Sequence, residues 1–354
     1  MSQKQKIAIL FGGCSSEYGV SLQSAYSVIT HLDPGQYEPV LIGITQSGEW
    51  FRFLGDPEKI KDNAWHNPDD CVRAIISPSR DIHGLLEFHA EGYRTTQLDA
   101  ALPVLHGKNG EDGTVQGLLE LAGIPIVGCN TMCSALCMDK HKAHKIVSLA
   151  GIRVPRSFLV THHVHETDSG IIFSQADEIG YPLFVKPVKA GSSLGISKVF
   201  EKSELLPAIK LAFSHDNEVI VEGAIPGLEI GCAIWGEKDD LIVGELDEIE
   251  VTEGFFDFNE KYSLKNSTIH VPARIPRQKS DEIKHEAKRI YQALGCSGFA
   301  RIDMFLTPDG QVVFSEANTI PGFTVKSQYP KMMNAIGMTL DQIITKSIEM
   351  AIKS

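Results

Sequence analysis

The sequence has no excess of positive charge. Its 354 residues include 33 Lys and Arg against 45 Asp and Glu, which gives a formal net charge of −12. A protein that mainly binds nucleic acid or an anionic membrane surface needs basic residues to offset phosphate charge, so the charge balance argues against both classes. We expect small molecules, and neither nucleic acid nor membrane, as its partners.

Long apolar runs and cysteines are also scarce. No run approaches the roughly 18 apolar residues of a membrane-spanning helix, and the early run Ile7–Phe11 is too short for a secretory signal. Seven cysteines is a small and odd number, which argues against a disulfide scaffold. These absences favour a reducing compartment, so we expect a cytoplasmic protein.

Short apolar runs alternate with helical patterns from residue 1 to about residue 130. Four runs are predicted to be strands: Lys6–Phe11, Glu38–Ile44, Leu98–Leu105 and Gly123–Val127. This alternation predicts an α/β domain with a parallel sheet. One helix over Ser134–Ala150, a small α+β unit and a β-rich segment that ends in a helix are predicted to follow.

The strongest sign of a functional site is a predicted hairpin around Pro308-Asp309-Gly310. Counting outward from that turn places Asp303 opposite Glu316 and Arg301 opposite Asn318, all on one face. Carboxylate and amide oxygens suit Mg²⁺ that bridges phosphates, and an adjacent Arg can neutralise a developing anion. The alternative is a solvated polar face, but the apolar residues on both strands favour the metal site.

A second candidate lies at Lys186, which ends an apolar strand and precedes the small, glycine-rich segment Ala190–Gly195. A lysine there can reach a phosphate, and the backbone N–H groups of such a loop can approach phosphate oxygens. The spacing Gly191-x-Ser193-x-Gly195 also fits the nucleophile turn of serine hydrolases. That turn leads from a strand into a helix, whereas here a strand follows, so we favour a phosphate loop.

Acidic residues supply two weaker candidates. Glu222 and Glu229 flank Ala224 and Ile225 after an apolar strand, where carboxylates can bind adenine amino and ribose hydroxyl groups. Exposed glutamate is the ordinary alternative. Glu17 begins a helix after a glycine turn, so it can pair with a ligand's ammonium group or simply favour the helix dipole.

Three of the cysteines, Cys129, Cys133 and Cys137, recur at helical spacing. Cysteine is a common small core residue, and this spacing fits no zinc-binding pattern. We therefore interpret them as core residues.

Motifs along nearly the whole chain resemble those of the D-alanine–D-alanine ligases. They run in the family's order from residue 11 to about residue 330, and as a set they are highly specific. The sequence resembles in particular the vancomycin-resistance ligases that join D-alanine to D-serine. The motifs are Phe11-Gly12-Gly13 with Ser16-Glu17, His106–Gly117, Met138-Asp139-Lys140, Val185-Lys186-Pro187 with Gly191-Ser192-Ser193, Arg301-Ile302-Asp303 and Asn318–Gly322.

The resemblance implies an ATP-grasp fold: an N-terminal parallel-sheet α/β domain over residues 1–133, followed by two α+β ATP-binding domains over 134–233 and 234–354. It implies an ATP-dependent ligase that forms a D-Ala–D-X dipeptide for peptidoglycan precursors through an acylphosphate, with ADP and phosphate released. The implied cofactors are ATP and two Mg²⁺ ions, with Mn²⁺ as a substitute. D-Amino acids are the implied substrates, and we expect a homodimer.

The resemblance also implies a role for each matching residue. Glu17 binds the ammonium of the first D-alanine, and Ser192 and Tyr262 are the hydrogen-bonding partners of Glu17. Arg301 and the Gly322 amide stabilise the oxyanion. The remaining implied residues are Lys140, Lys186 and Lys261 for the phosphates; Glu222, Ala224, Ile225 and Glu229 for the adenosine; Asp303, Glu316 and Asn318 for the metals; and His106, Ser327 and Gln328 for the amino-acid substrates.

Two features bear on the second substrate. Lys261 and Tyr262 lie in a long loop like that of the D-alanine and D-serine enzymes, which makes D-lactate less expected. Where the D-alanine enzymes usually have Leu and the resistance enzymes Arg, this chain has Gln328. Gln328 either packs like the Leu or hydrogen-bonds a serine hydroxyl; we expect D-alanine as the second substrate, with D-serine as the alternative. Ser315 and Ala317 replace the family's usual Asn and Val but leave the metal ligands intact.

Two other functions compete with this hypothesis. One is a different ATP-grasp ligase that joins a carboxylate to an amine, against which the matches at Glu17 and Tyr262 argue. The other is an ATP-binding regulatory protein with a decayed site, against which the full set of metal and phosphate residues argues.

Overall fold

A computed structural model describes residues 4–192, 194–251 and 267–353 of the chain. The described chain forms three β-sheets with helices packed against them. No helix within the described ranges is long and apolar enough to cross a membrane.

The first sheet has seven strands in the order β6-β5-β4-β3-β2-β1-β7. Strand β1 pairs in parallel with both β2 and β7, as the alternating sequence pattern predicts. The other neighbours are antiparallel. The strands are β1 (Gln5–Gly12), β2 (Tyr37–Ile44), β3 (Trp50–Phe53), β4 (Cys71–Ile76), β5 (Gly84–His89), β6 (Gly92–Gln97) and β7 (Ala100–Pro103); the helices are α1 (Tyr18–His31), α2 (Glu58–Lys61) and α3 (Thr114–Ala122).

Two features of this region differ from the prediction. The segment Gly123–Val127 is not a strand, because only a single bridge joins Ile126 to Ala101. The antiparallel strands β3 to β6 were not predicted. They are short, and every residue of β6 except Thr96 is exposed, so they lack the buried apolar run that marks β1.

The second sheet has four strands in the order β10-β9-β11-β8. The predicted single helix over Ser134–Ala150 is wrong: two helices meet at Asp139, whose backbone is extended. Asp139 begins the second helix by accepting a hydrogen bond from Lys142 N at 3.0 Å. The elements are α4 (Thr131–Met138), α5 (Lys140–Leu149), β8 (Ser157–Thr161), α6 (His162–Thr167), α7 (Ser169–Ile179), β9 (Leu183–Pro187), β10 (Ser197–Val199), α8 (Lys202–Phe213) and β11 (Glu218–Gly223).

The third sheet has five strands in the order β14-β13-β12-β15-β16, all antiparallel. Its strand β12 begins at Leu228, a few residues before the domain boundary expected after residue 233. The domain boundaries stay predictions. The elements are β12 (Leu228–Glu237), β13 (Asp240–Val251), β14 (Ser267–His270), α9 (Arg277–Ala293), β15 (Gly298–Leu306), β16 (Val312–Asn318), α10 (Gln328–Asn334) and α11 (Leu340–Lys353).

Buried apolar residues join the first and third sheets. Phe11 and Trp65 of the first region belong to the same core cluster as Phe299 and Tyr329 of the third. The loops at the ends of β1 and β16 are therefore held close to each other, and these loops carry several of the predicted site residues.

Candidate functional site

Four polar side chains lie on one face of the hairpin β15–β16. Arg301 pairs with Asn318 and Asp303 with Glu316, so the register counted from the sequence is confirmed. Beyond Asp303 the register shifts by one residue, at Ser315. Arg301 donates two hydrogen bonds to Asp303, Nε to Oδ1 and Nη2 to Oδ2, both at 2.7 Å.

The carboxylates on this face are each contacted by a neighbouring nitrogen. Asn318 Nδ2 lies 2.8 Å from Asp303 Oδ2, and Lys140 Nζ lies 3.5 Å from Glu316 Oε2. Burial alone lowers the pKa of Arg301, but the neighbouring Asp303 raises it above its ordinary value, so the guanidinium stays charged. The two carboxylates and the Asn318 carbonyl fit the hard oxygen ligands that Mg²⁺ prefers, and each carboxylate has lone pairs beyond those that the cations use.

A cleft of about 590 Å³ lies between the second and third sheets. Most of the residues expected to contact ATP line it. The lysines reach it from the first turn of α5 and from β9, and the acidic residues from the ends of β11 and the start of β12. Its predicted lining residues are Lys140, Lys186, Glu222, Ala224, Ile225, Glu229 and Glu316.

Both predicted lysines of the cleft are held by polar contacts. Lys186 forms an ion pair with Glu222, which holds the pKa of Lys186 above its ordinary value even though burial alone would lower it. Lys140 Nζ also donates to Ala190 O at 2.9 Å, which ties the first turn of α5 to the glycine-rich loop. These contacts hold both lysines in place in the cleft.

Several residues of the cleft were not predicted. Two rings, Phe184 and Phe305, provide its apolar walls. Arg274 also lines the cleft and binds Glu248, with Nη2 at 2.7 Å from Oε1 and Nε at 3.3 Å from Oε2. The hydrogen bonds from Arg274 lower the pKa of Glu248. No local motif marks Arg274 and Glu248, because they meet only when β13 and the chain after β14 are assembled.

A second group of residues surrounds Glu17, which is buried at the start of α1. Ser192 Oγ donates a hydrogen bond to its carboxylate, so the structure brings these two predicted residues together. Two glycines pack on the carboxylate of Glu17. A Cβ would lie 2.6 Å from Glu17 Oε2 at Gly107 and 2.7 Å from it at Gly191. Gly107 also has φ +71°, a conformation that favours glycine.

His106 links the first and third sheets. Its Nδ1 lies 2.9 Å from Ile320 O and its Nε2 lies 3.2 Å from Ser24 Oγ. Burial lowers its pKa. These contacts hold the loop that carries Gly322 against the loop that follows β7.

Glu111 bridges the same two loops and was not assigned a role from the sequence. It accepts hydrogen bonds from Gly107 N at 2.8 Å and from Ile320 N at 3.1 Å. Burial and the charge of Glu17 raise the pKa of Glu111 from 4.5 to about 8. The motif containing Glu111 was recognised, but its position between two regions distant in sequence was not.

The predicted substrate residues Ser327 and Gln328 begin α10. Ser327 Oγ lies 2.8 Å from Thr324 Oγ1. A Cβ at Gly322 would also lie 2.8 Å from Ser327 Oγ. The Gln328 Nε2 is shielded from solvent.

Asp247, which the sequence analysis missed, belongs to this corner of the site. Gly231 pairs with Asp303 on one side and with Asp247 on the other, so Asp247 extends the row of acids across the sheet. Its Oδ1 accepts from Gly231 N at 2.7 Å, in space that a Cβ at Gly231 would fill. Burial raises the pKa of Asp247 to about 6, while Arg301 and Gln328 lower it.

Two predicted site residues, Lys261 and Tyr262, lie outside the described residues. Their roles stay predictions.

Comparison with known proteins gives a consistent result. The model of the N-terminus of D-ala D-ala ligases matches residues 6–129, and that of the C-terminus matches residues 146–349. A putative D-alanine–D-lactate ligase of Streptomyces coelicolor is 44% identical over 351 residues, which cover 98% of this chain and 97% of that protein. A D-alanine–D-alanine ligase of Caldicellulosiruptor bescii is 41% identical over 352 residues, covering 99% and 96%.

Among solved structures, the VanG D-Ala:D-Ser ligase from Enterococcus faecalis superposes with a TM-score of 0.91. It is 52% identical, and the match covers 99% of this chain and 100% of that one. The three names differ in the second substrate, so kinship alone does not decide what is joined to D-alanine.

Proposed function

The chain belongs to the D-alanine–D-alanine ligase family and is an enzyme that forms a D-Ala–D-X dipeptide, and we propose that X is D-serine. The sequence favours D-alanine on balance. The buried pair Asp247 and Gln328 favours D-serine.

The supporting observation is a buried polar pair, Asp247 and Gln328. Asp247 Oδ2 and Gln328 Nε2 are both shielded from solvent. A hydrogen bond from Gln328 is among the causes that lower the pKa of Asp247, so the two side chains face each other. A hydroxyl fits because it donates to the carboxylate and accepts from the amide N–H.

The methyl group of D-alanine cannot hydrogen-bond to either side chain, whereas the hydroxyl of D-serine can. An unsatisfied buried polar group costs about 1–3 kcal/mol, and sites built for a hydroxyl strongly reject analogues that lack it. We therefore expect kcat/KM for D-serine to exceed that for D-alanine by at least about tenfold, at about 1.4 kcal/mol per tenfold.

For the first half of the reaction we propose that Glu17 binds the ammonium group of D-alanine, with Ser192 and Tyr262 as its hydrogen-bonding partners. His106 keeps the loop that carries Gly322 in place, and Arg301 with the Gly322 N–H stabilises the charge on the substrate oxygen. Ser327 supports Gly322 beside the second substrate.

ATP supplies the phosphoryl group that activates the D-alanine carboxyl. We propose that Lys140, Lys186 and Lys261 hold its phosphates. The adenosine contacts are Glu222 and Glu229 with the backbone of Ala224 and Ile225. Asp303, Glu316 and Asn318 would hold two Mg²⁺ ions, or Mn²⁺, since all three offer oxygen donors. Exclusion of water by the closed cleft would protect the acylphosphate.

The biological setting is part of the same proposal. The dipeptide would enter peptidoglycan precursors, and the enzyme would act in the cytoplasm as a homodimer. Size-exclusion chromatography with light scattering tests the dimer directly.

The test of the second substrate is a competition assay. The purified chain is incubated with Mg-ATP and D-alanine, alone and with equal D-serine or D-lactate, and the products are identified by mass. D-Ala–D-Ser as the main product supports the proposal, whereas D-Ala–D-Ala or D-Ala–D-Lac as the main product contradicts it.

Variants connect the result to the buried pair. Gln328→Leu and Asp247→Asn should each reduce the preference for D-serine while D-Ala–D-Ala formation persists. Gln97→Leu makes the same chemical change at an exposed position and should change nothing. An unchanged preference for D-serine in Q328L would show that Asp247 and Gln328 do not recognise its hydroxyl.

A further inference from the structure

Four of the seven cysteines gather at one place, where the loop before α4 meets the start of β15. Cys129 lies in that loop, Cys133 and Cys137 lie on successive turns of α4, and Cys296 follows α9. All four are buried and carry free thiols. The sequence alone groups only the first three, because Cys296 is distant in the chain.

The sulfur atoms are spaced as a thiolate metal site requires. Cys133 Sγ lies 3.6 Å from Cys296 Sγ and 3.8 Å from Cys137 Sγ. The sulfurs of Cys129, Cys133 and Cys296 all lie within 4.8 Å of one another. Four sulfurs arranged tetrahedrally at the usual metal–sulfur distance of ~2.3 Å are separated by about 3.8 Å, and the two distances from Cys133 are close to that value.

The backbone on both sides of the cluster is tightly held. Asn130 Oδ1 accepts from Cys133 N at 2.9 Å and so fixes the first turn of α4. Ser297 Oγ donates to Gly128 O at 3.1 Å, and a Cβ at Gly298 would lie only 2.8 Å from Gly128 Cα. The donors therefore come from two chain segments that are already in close contact.

We propose that Cys129, Cys133 and Cys296, with Cys137 as a fourth sulfur, bind one Zn²⁺ ion. Sulfur-only ligands select soft or borderline cations over Mg²⁺. Binding converts the thiols to thiolates and releases their protons to solvent. Without the ion, the neighbouring sulfurs and burial raise the pKa of Cys129 and of Cys296, so both stay neutral in the apolar core.

The site would act as a clamp. It joins α4, which leads directly to Lys140, to the start of β15, which carries Arg301 and Asp303. It is separate from the carboxylate face, and it does not depend on the identity of the second substrate.

The experiment uses the full-length protein, purified reduced and metal-free, with excess Mg²⁺ to occupy the carboxylates. Zn²⁺ is titrated against a chromophoric chelator, and Co²⁺ is added to a second sample because thiolate–cobalt bonds give intense charge-transfer bands. We expect one Zn²⁺ per chain, cobalt bands of thiolate character, and a higher melting temperature with Zn²⁺.

Two variants locate the site. Cys296→Ser and Cys133→Ser should weaken Zn²⁺ binding by more than about 100-fold, since losing a ligand costs more than losing a ligand's hydrogen-bond partner. Cys14→Ser and Cys71→Ser, outside the cluster, should bind like the parent chain.

The spectra of the unaltered protein decide the matter even if a variant does not fold. Absent thiolate bands, together with no Zn²⁺ retained against the chelator, would overturn the proposal and leave a core of packed cysteines. Zn²⁺ binding that survives in Cys296→Ser would overturn it as well.

Discussion

Raising the pH should weaken the fold through the carboxyl group of Glu111. This partly buried group joins the loop after β7 to the loop after β16 through Gly107 N and Ile320 N. Its pKa rises from 4.5 to about 8, first because of burial and then because of the negative charge of Glu17. Between those pH values the folded chain holds a proton that the unfolded chain has released, so the free energy of unfolding falls as the pH rises from about 5 to about 8.

The size of the effect follows from the pKa difference. A rise from 4.5 to about 8 corresponds to roughly 5 kcal/mol, at about 1.4 kcal/mol per unit. This figure is an upper limit because Glu111 is partly exposed and interacts with a second titratable carboxyl, Glu17. We expect a loss of at least about 2 kcal/mol across this interval, attributable to Glu111 by comparison with a variant that cannot titrate.

The assay is urea denaturation of the ligand-free protein at several pH values, for the parent chain, Glu111→Gln and Glu91→Gln. The amide introduced by E111Q cannot titrate, but it keeps only one acceptor for the two N–H donors, which costs about 1–3 kcal/mol at every pH. E111Q should therefore be less stable than the parent near pH 5 and should regain stability relative to it as the pH rises. The exposed Glu91 variant should follow the parent. Parallel curves for the parent chain and E111Q would refute the reasoning.

Three further changes test other parts of the site. Arg301→Lys replaces a two-pronged contact with Asp303 by a point charge and should lower kcat about 100-fold with little change in KM for D-alanine, checked by steady-state kinetics. Gly107→Ala would place a Cβ 2.6 Å from Glu17 Oε2 and should raise KM for the first D-alanine at least about tenfold, whereas an unchanged KM would contradict the ammonium site. Phe299→Ala empties a fully buried position in the core shared by the first and third sheets, and should lower the free energy of unfolding by about 3–5 kcal/mol in urea.

Local patterns in the sequence predict the site best where the chain is continuous. The hairpin register around Asp303 and Glu316 follows from the position of one turn, and it is confirmed. The register shift at Ser315 is not predictable in this way, because a bulge depends on how the strand bends against its neighbours. The shift lies beyond the Asp303–Glu316 pair, so the predicted pairing of the two acids is unaffected.

Residues whose contacts form only when distant strands or sheets pack together are harder to predict from the sequence. Asp247 has no motif around it, and its environment exists because Gly231, on the adjacent strand, has no side chain to fill the space. Glu111 likewise gains its bridging position only when the first and third sheets are packed together. Single-sequence patterns carry no record of such pairings, since they depend on residues far apart in the chain.

The row of acids across the third sheet indicates what the fold is arranged to bind. Asp303 and Glu316 are directly opposite, and like charges in that position destabilise a sheet. Arg301 beside Asp303 and Lys140 near Glu316 reduce the repulsion, and burial raises the pKa of Asp247. Asp247, Asp303 and Glu316 together carry up to three negative charges against the two positive charges of Arg301 and Lys140, so the group keeps negative charge that a divalent cation would neutralise. If these carboxylates hold a cation, as proposed, Mg²⁺ should stabilise the folded chain as well as serve the reaction.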